Sequence, residues 1–403
     1  MKAVIKGCDF GPAVSKVVLR IPEAMAGNNL SREFFSVRDI RKTGIFAKKQ
    51  NRTVKAVYYS DESGNRAEDF ADGKPGFVTI ELSYSPREGS PFYYNARTGF
   101  TRWLPEYALE ITVKDQKTVL PVTTKGKPVE ENILLPEIAN ADVNGTFTGK
   151  EGNRLTYASY VPDNASEENK RPLVIWLHGA GEGGTDPRIT LYGNKVVALL
   201  QKEFQSIMGG AYILAPQTAV YWKRNEAGKY LSPKNGGKHS VYLHDLQELI
   251  DDFIGANHVD PDRIIVGGAS NGGFMTLDLL LHYPERYAAA YPICEIYEPE
   301  LISDEKLAGI KDIPMWFVYA KNDRTVVPSL YEEPLLKRLK DMGCREVRTS
   351  VFADVHDTSG AYTADGKPYQ YFGHFSWIYF LNNECIDGDL SIWEWMSHVG
   401  TGL

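Results

Sequence analysis

The chain has 403 residues, enough for two or three domains of ordinary size. Its 43% hydrophobic and 24% charged residues match soluble globular composition and exclude a disordered, collagenous or coiled-coil chain. With 45 basic against 52 acidic side chains the net charge is −7, which leaves no basic surplus to neutralise a phosphate backbone and argues against a nucleic-acid partner.

No apolar run approaches the ~18 residues of a membrane-spanning helix, so no membrane span is expected. The opening residues, Met1 to Gly7, lack the apolar stretch and small-residue cleavage site of a signal peptide; the expectation is a soluble protein, with secreted and cytoplasmic locations both open. Cys8, Cys294, Cys344 and Cys385 form no CxxC pair and read as free thiols, with neither a structural zinc nor a disulfide framework.

Residues 1–120 read as antiparallel β structure. In Phe77–Tyr84 the side chains Val78, Ile80, Leu82 and Tyr84 share one face while Thr79, Glu81 and Ser83 share the other, the period of a half-buried strand. Tyr107, Leu109, Ile111 and Val113 alternate in the same way, and Val17, Leu19 and Ile21 outline a third strand. Turn-rich stretches at Asp61–Gly64 and Asp72–Pro75 separate them, which predicts a small immunoglobulin-like β-sandwich. Residues 121–140 lie in a stretch that loses the alternation and gathers Lys, Thr, Pro and Gly, the composition of a linker.

From 141 to 403 the pattern changes to apolar strands, at Leu173–Leu177, Ala211–Ala215, Arg263–Gly267 and Met315–Ala320, alternating with amphipathic helices such as the one marked by Leu243, Leu246, Ile250, Phe253 and Ile254. Strands alternating with helices predict an α/β domain with a doubly wound, mostly parallel sheet.

The segment Gly268-Ala-Ser-Asn-Gly272 fits G-x-S-x-G, with an apolar strand running in and a helix-like stretch, Phe274–Leu281, running out. A serine on such a turn projects its hydroxyl clear of the sheet, and Ser270 is the expected nucleophile. A hydroxyl needs a base, and the base needs a third group to orient it; the fold that presents this turn orders the partners Ser, Asp or Glu, then His. Asp323 follows the strand Met315–Ala320 on the same rim and is the expected acid.

Two histidines follow it. His374, in a turn between Pro368–Gly373 and the apolar Ile378–Leu381, is the expected base; His356, next to Asp357, is expected to make a local hydrogen bond. For the oxyanion, the expected donors are the backbone N–H groups of Asn271 and of Ala180, with Gly179 as the alternative to Ala180, from the glycine-rich loop His178–Gly184. That loop matches neither a phosphate-binding nor a dinucleotide-binding pattern.

Trp176–Gly184, Gly268–Gly273, the Asn322-Asp323 turn and Gly373-His-Phe-Ser-Trp377 together resemble α/β-hydrolase esterases of the prolyl-oligopeptidase-like and polyhydroxybutyrate-depolymerase-like branch. The β-rich segment ahead looks like the immunoglobulin-like domain that some of these esterases carry. The resemblance implies a serine carboxylesterase acting on short acyl or feruloyl-type esters, with no cofactor or metal. Its histidine commonly precedes a Ser-Trp pair, the pattern His374 fits. The implied partner is a small-molecule ester, in some members linked to plant polysaccharide; oligomeric state is left open. There is no repeat array of the kind that builds the propeller of prolyl-oligopeptidase-type peptidases.

Tyr221, Trp222 and Trp377 are expected to line the substrate pocket, and Glu182 to brace its loop. The aromatic stretch Phe92–Trp103 is expected either to pack within the sandwich or to overhang the entrance.

Overall fold

The structure is a computed structural model that describes residues 1–20, 30–43, 46–67, 76–114, 116–232, 234 and 239–401. Ile21 and Asp72–Pro75, used above to outline the first domain, lie outside the described residues. The chain divides into two compact units, Met1–Ala139 and Asn140–Leu403.

The first unit contains β1 (Lys2–Cys8), β2 (Gly11–Arg20), β3 (Phe35–Thr43), β4 (Phe46–Arg52), β5 (Val54–Ser60), β6 (Phe77–Leu82), β7 (Phe92–Asn95), β8 (Phe100–Trp103), β9 (Glu106–Val113), β10 (Gln116–Thr124), β11 (Lys127–Pro128) and β12 (Ile133–Leu134). Among the described residues they form two five-stranded sheets, ordered β12-β1-β2-β6-β5 and β11-β10-β9-β3-β4, and the hairpin β7-β8. The alternation in β9 is the alternation of burial: Tyr107, Leu109 and Ile111 are buried and Ala108, Glu110 and Thr112 are half-exposed. In β6 the polar face is covered as well, and the buried Thr79 hydroxyl donates to Ser60 Oγ at 2.8 Å. Phe92 and Trp103 meet edge to face at 4.5 Å across the aromatic hairpin.

Residues 121–140 differ from the linker reading. β10 continues to Thr124, β11 folds back on it, and β12 pairs parallel with β1, Ala3 opposite Ile133 and Val4 opposite Leu134. The Gly7 N–H donates to Glu137 at 2.6 Å, and Leu120, Val122 and Ile138 are buried. Two-residue strands leave no periodicity to read, so ordered backbone resembles a spacer in composition.

The second unit is built on β13 (Ala141–Thr148), β14 (Arg154–Tyr160), β15 (Arg171–Leu177), β16 (Tyr212–Gln217), β17 (Val259–Ala269), β18 (Ala289–Ile293), β19 (Met315–Ala320) and β20 (Val347–Phe352). Among the described residues these form one sheet ordered β13-β14-β16-β15-β17-β18-β19-β20. The first two strands pair antiparallel, and every pairing from β16 to β20 is parallel. The helices are α1 (Pro187–Gly193), α2 (Lys202–Ile207), α3 (Leu243–Ala256), α4 (Asn271–His282), α5 (Asp304–Gly309), α6 (Glu332–Asp341), α7 (Trp377–Leu381) and α8 (Ile392–His398).

β15 shows why both faces must be covered. Ile175 and Leu177 join one core with Leu246, Leu249, Ile250 and Phe253 of α3 and Phe274 and Leu277 of α4. Trp176 points the other way and stacks on Tyr291 at 6.5 Å and on Phe380 at 5.9 Å. A strand buried on both sides reads as an unbroken apolar run. Parallel strands also bring β17, β18 and β19 to end on one rim, where the expected site residues gather. No helix among the described residues is long and apolar enough to cross a membrane.

Candidate active site

Ser270 sits between β17 and α4 with φ +58° and ψ −111°, a left-handed backbone that a side chain adopts only where its surroundings enforce it. The Ser270 N–H donates to the Ile293 carbonyl at 2.8 Å, and its carbonyl accepts from Phe274 N–H at 3.0 Å. Gly272 allows the turn to press against β15: a Cβ there would lie 1.8 Å from the Leu177 carbonyl oxygen. These contacts lift the Ser270 side chain off the sheet at a helix N-terminus.

Asp323 follows β19. Its Oδ1 accepts from the backbone N–H groups of Thr325 at 2.7 Å and Val326 at 2.9 Å. Oδ2 is left for His374 Nδ1, at 2.7 Å. A carboxylate only accepts, so Nδ1 carries the proton and Nε2 is the ring's free lone pair. The loop holding His374 packs directly on the acid's loop, since a Cβ at Gly373 would meet Asn322 Oδ1 at 2.2 Å.

His356 makes no such contact. Its Nδ1 lies 2.6 Å from Asp354, and its ring is 39% exposed. Cys294, just beyond β18, joins the two halves of the site: its thiol faces the Ser270 backbone and Ser376, and lies in the field of Asp323.

The loop after β15 is fixed by a neutral histidine. His178 is fully buried, its Nε2 accepts from Thr218 N–H at 3.2 Å, and its Nδ1 therefore donates to the Gly179 carbonyl at 2.6 Å. Burial pushes its pKa down to about 4. Glu182 braces the same loop. Burial pushes its carboxyl up to about 7, although the Asn194 side chain and the Gly179 N–H both donate to it. A Cβ at Gly179 would lie 4.0 Å from Ser270 Cβ, so the loop runs beside the serine. Ala180 opens a 3₁₀ turn and Asn271 opens α4, and first residues of helical turns have N–H groups without an intrahelical acceptor.

Trp222 does not line a pocket. It is fully buried, its indole N–H donates to the His178 carbonyl at 3.1 Å, and its backbone N–H donates to Asn271 Oδ1 at 2.6 Å. It ties the loop after β15 to the turn after Ser270 from behind, and a side chain with no free surface has none to offer a substrate. Tyr221 is half-buried, 5.5 Å from the Tyr230 ring. Trp377 stands edge-on to His374 at 5.6 Å and is 6% exposed.

Sequence reasoning missed a second set of groups on this rim. Lys223 is 1% exposed and ion-paired with Glu298, and its ammonium also donates to the Ile296 carbonyl at 2.5 Å. Glu295 and Glu332 are buried nearby. Glu295 was legible by the same rule as Asp323, because it stands just past the C-terminal end of a buried strand. Among the described residues, no group of three or more His, Cys, Asp or Glu side chains is placed to hold a metal ion.

A family model described as the esterase Ig-like N-terminal domain matches residues 1–129, and the Esterase family model matches residues 150–327. The chain joins an esterase Ig-like domain to an α/β-hydrolase esterase domain. A crystal structure of a thermostable esterase aligns over 95% of this chain and 96% of its own, with 26% identity and a TM-score of 0.72. The esterase domain is also similar to the acylamino-acid-releasing enzyme of Sus scrofa, 28% identical over 155 residues, and to poly(3-hydroxyalkanoate) depolymerase C of Paucimonas lemoignei, 25% identical over 138 residues. Those stretches are 38% and 34% of this chain but only 19% and 29% of the two relatives.

Proposed function

We propose that the chain is a serine carboxylic-ester hydrolase in which Ser270 is the nucleophile, His374 the base, Asp323 the orienting acid, and the Ala180 and Asn271 N–H groups the oxyanion donors. The observation that carries this reading is the 2.7 Å contact between His374 Nδ1 and Asp323, on the rim where β17 ends in the strained turn at Ser270. With Nδ1–H held, Nε2 takes the serine proton as Oγ attacks the carbonyl carbon, and returns it to the leaving alcohol. Water then attacks the acyl-enzyme with His374 as base again, and Ser270 regains its proton. Gly179 N–H is engaged by Glu182, which favours Ala180 as the oxyanion donor from this loop.

The substrate class is an ester of a short acyl or feruloyl-type acid, free or carried on plant polysaccharide. An aromatic strip supports it: Phe372 is 76% exposed, Phe375 lies 5.6 Å from it, and Trp377 lies 4.6 Å further along towards His374. A serine-directed fluorophosphonate should add one adduct at Ser270, and a panel of acetyl, butyryl and feruloyl esters should be hydrolysed. Adducts elsewhere with Ser270→Ala still active would end the proposal. The similarity to acylamino-acid-releasing enzymes supports a second reading, peptidase activity; preferential cleavage of an N-acetylated amino-acid amide in the same panel would replace esters by peptides.

A further inference from the structure

The two proposed oxyanion donors are joined by a short stretch of chain to which the reaction above gives no role. The N–H groups of Trp222 and Lys223, consecutive in the segment that follows β16, converge on one atom, Asn271 Oδ1, at 2.6 and 3.1 Å. Successive N–H groups aimed at one point form a concave cradle for an acceptor, and the fully buried carboxamide of the residue after the nucleophile fills it. On its other side Trp222 donates its indole N–H to the His178 carbonyl at 3.1 Å. The pair therefore bridges Asn271 to the loop that carries Ala180.

The Lys223 side chain locks this bridge from its far end. Its Nζ lies 5.2 Å from the centre of the Phe274 ring and 5.3 Å from that of Tyr230, within cation–π range of both. It donates to the Ile296 carbonyl at 2.5 Å and to the Glu298 carboxylate. Phe274 stands one turn after Ser270 and donates its N–H to the Ser270 carbonyl at 3.0 Å. Ile296 belongs to the chain leaving β18, whose Ile293 carbonyl accepts the Ser270 N–H at 2.8 Å. Lys223 is thus bonded to both flanks of the nucleophile turn, by its backbone N–H to the start of α4 and by its ammonium to the loop beyond β18. A buried cation is costly when unpaired, so these partners dictate where the ammonium can lie.

Two N–H groups stabilise an oxyanion only if both reach the same oxygen, each at about 2.7–3.1 Å. Ala180 and Asn271 lie on separate loops, and their separation is what the Trp222–Lys223 bridge spans.

We infer that Lys223 is a positioning residue: anchored by Glu298 and the Ile296 carbonyl, it fixes the bridge that holds the Ala180 and Asn271 N–H groups at their working separation. The inference rests on the reading of those two groups as oxyanion donors. Releasing the ammonium lets the bridge shift. The transition state loses a donor while the ground-state ester, which carries no developed charge, binds as before.

The test compares wild type with Lys223→Met, which keeps the backbone N–H on Asn271 and removes both ammonium bonds. Lys223→Met should lower kcat by about 10- to 100-fold with KM within about twofold, the scale of a misplaced donor. A trifluoromethyl ketone reads the donors directly: Ser270 Oγ adds to its carbonyl carbon, His374 takes the serine proton, and the ketone oxygen becomes the oxyanion. Its affinity should fall by the same factor as kcat. Glu298→Ala, at a side chain 17% exposed, is the second variant should the first not fold, and should show the same parallel loss, with Glu298→Gln recovering part of it because the amide oxygen still accepts from the ammonium.

Active sites are counted by fluorophosphonate labelling, so that a smaller folded fraction is not read as slower turnover. A lowered melting temperature with wild-type kcat per labelled site makes Lys223 a structural residue and overturns the inference. So does a loss of kcat with unchanged ketone affinity, or a loss confined to KM. Failure of wild type to label at Ser270 ends the serine-hydrolase reading, and this inference with it; labelled wild type beside an unaffected Lys223→Met ends this inference alone.

Discussion

The two units bury charge in opposite ways. In the β-sandwich, Arg52 of β4 has no exposed side-chain surface, yet its guanidinium meets Asp39 at 3.0 Å and Glu88 at 3.3 Å and donates to the carbonyls of Val14 at 2.9 Å and Ser83 at 2.5 Å. Tyr107 donates to Asp39 at 2.9 Å. Arg52 and Asp39 belong to one sheet, and Val14 and the chain leaving β6 to the other, so these partners pin the sheets together, with Nε held to Glu88 by charge alone. In the esterase domain the buried Glu295 has no hydrogen-bond partner for Oε1, and it backs onto the turn at Ser270, where a Cβ on Gly273 would lie 2.8 Å from its own Cβ. A paired charge cluster that spans two sheets is a structural clamp, whereas a buried carboxyl short of donors is costly when ionised.

The sharpest break of this comparison is at the reacting groups. Ser270→Ala should lower kcat by about 10⁴ to 10⁶ without moving the melting temperature, and His374→Ala should match it, with no further loss in the double variant. His356→Ala should keep most turnover, because its partner is Asp354. Steady-state kinetics on the four proteins decide this.

The clamp breaks differently. Asp39→Ala strands a buried guanidinium and should cost roughly 3–5 kcal/mol of the first unit's stability, while Arg52→Met combined with Asp39→Leu should recover much of it. Calorimetry distinguishes the two, and equal melting of both variants would mean that the ion pair is not the source.

Next comes pH. His178 titrates at about 4 when folded against an ordinary 6.5, so its contribution to stability is complete above about 6.5 and is lost as pH falls towards 4. Protonation would also replace its bond from Thr218 N–H by repulsion. Glu182, raised to about 7 from an ordinary 4.5, runs the other way: its contribution is complete below about 4.5 and is lost as pH rises through 7. Urea midpoints measured from pH 4 to 8 should flatten on the acid side in His178→Gln and on the neutral side in Glu182→Gln.

The smallest effect is at the rim. Phe372→Ala should reduce kcat/KM for aryl esters by about three- to tenfold relative to acetyl esters, since remote apolar contacts position large substrates. Its melting temperature should stay put because the ring is 76% exposed.

Local patterns were readable wherever a motif and a strand coincide. The turn at Ser270 and the strand ahead of Asp323 announce themselves because buried parallel strands are apolar runs that end in polar rims. The histidine partner was read from its turn between Pro368–Gly373 and Ile378–Leu381 and from the Gly-His-Phe-Ser-Trp likeness, since nothing local brings a ring to Asp323; a loop packed on Asn322 does. Trp222 misled, because an aromatic after a strand reads alike whether it faces a pocket or the back of a loop.

The pairing of β12 with β1 has a consequence for how the first unit can be cut out of the chain. Ending a fragment at residue 120 removes β11, β12 and part of β10, and uncovers the margin of β1 at Ala3 and Val4 together with the Gly7 N–H that Glu137 accepts. Such margins recruit strands from other molecules. A fragment stopped at 120 should therefore accumulate in inclusion bodies or as higher-order species on gel filtration, whereas one stopped at 139 keeps its own last strand and stays dispersed.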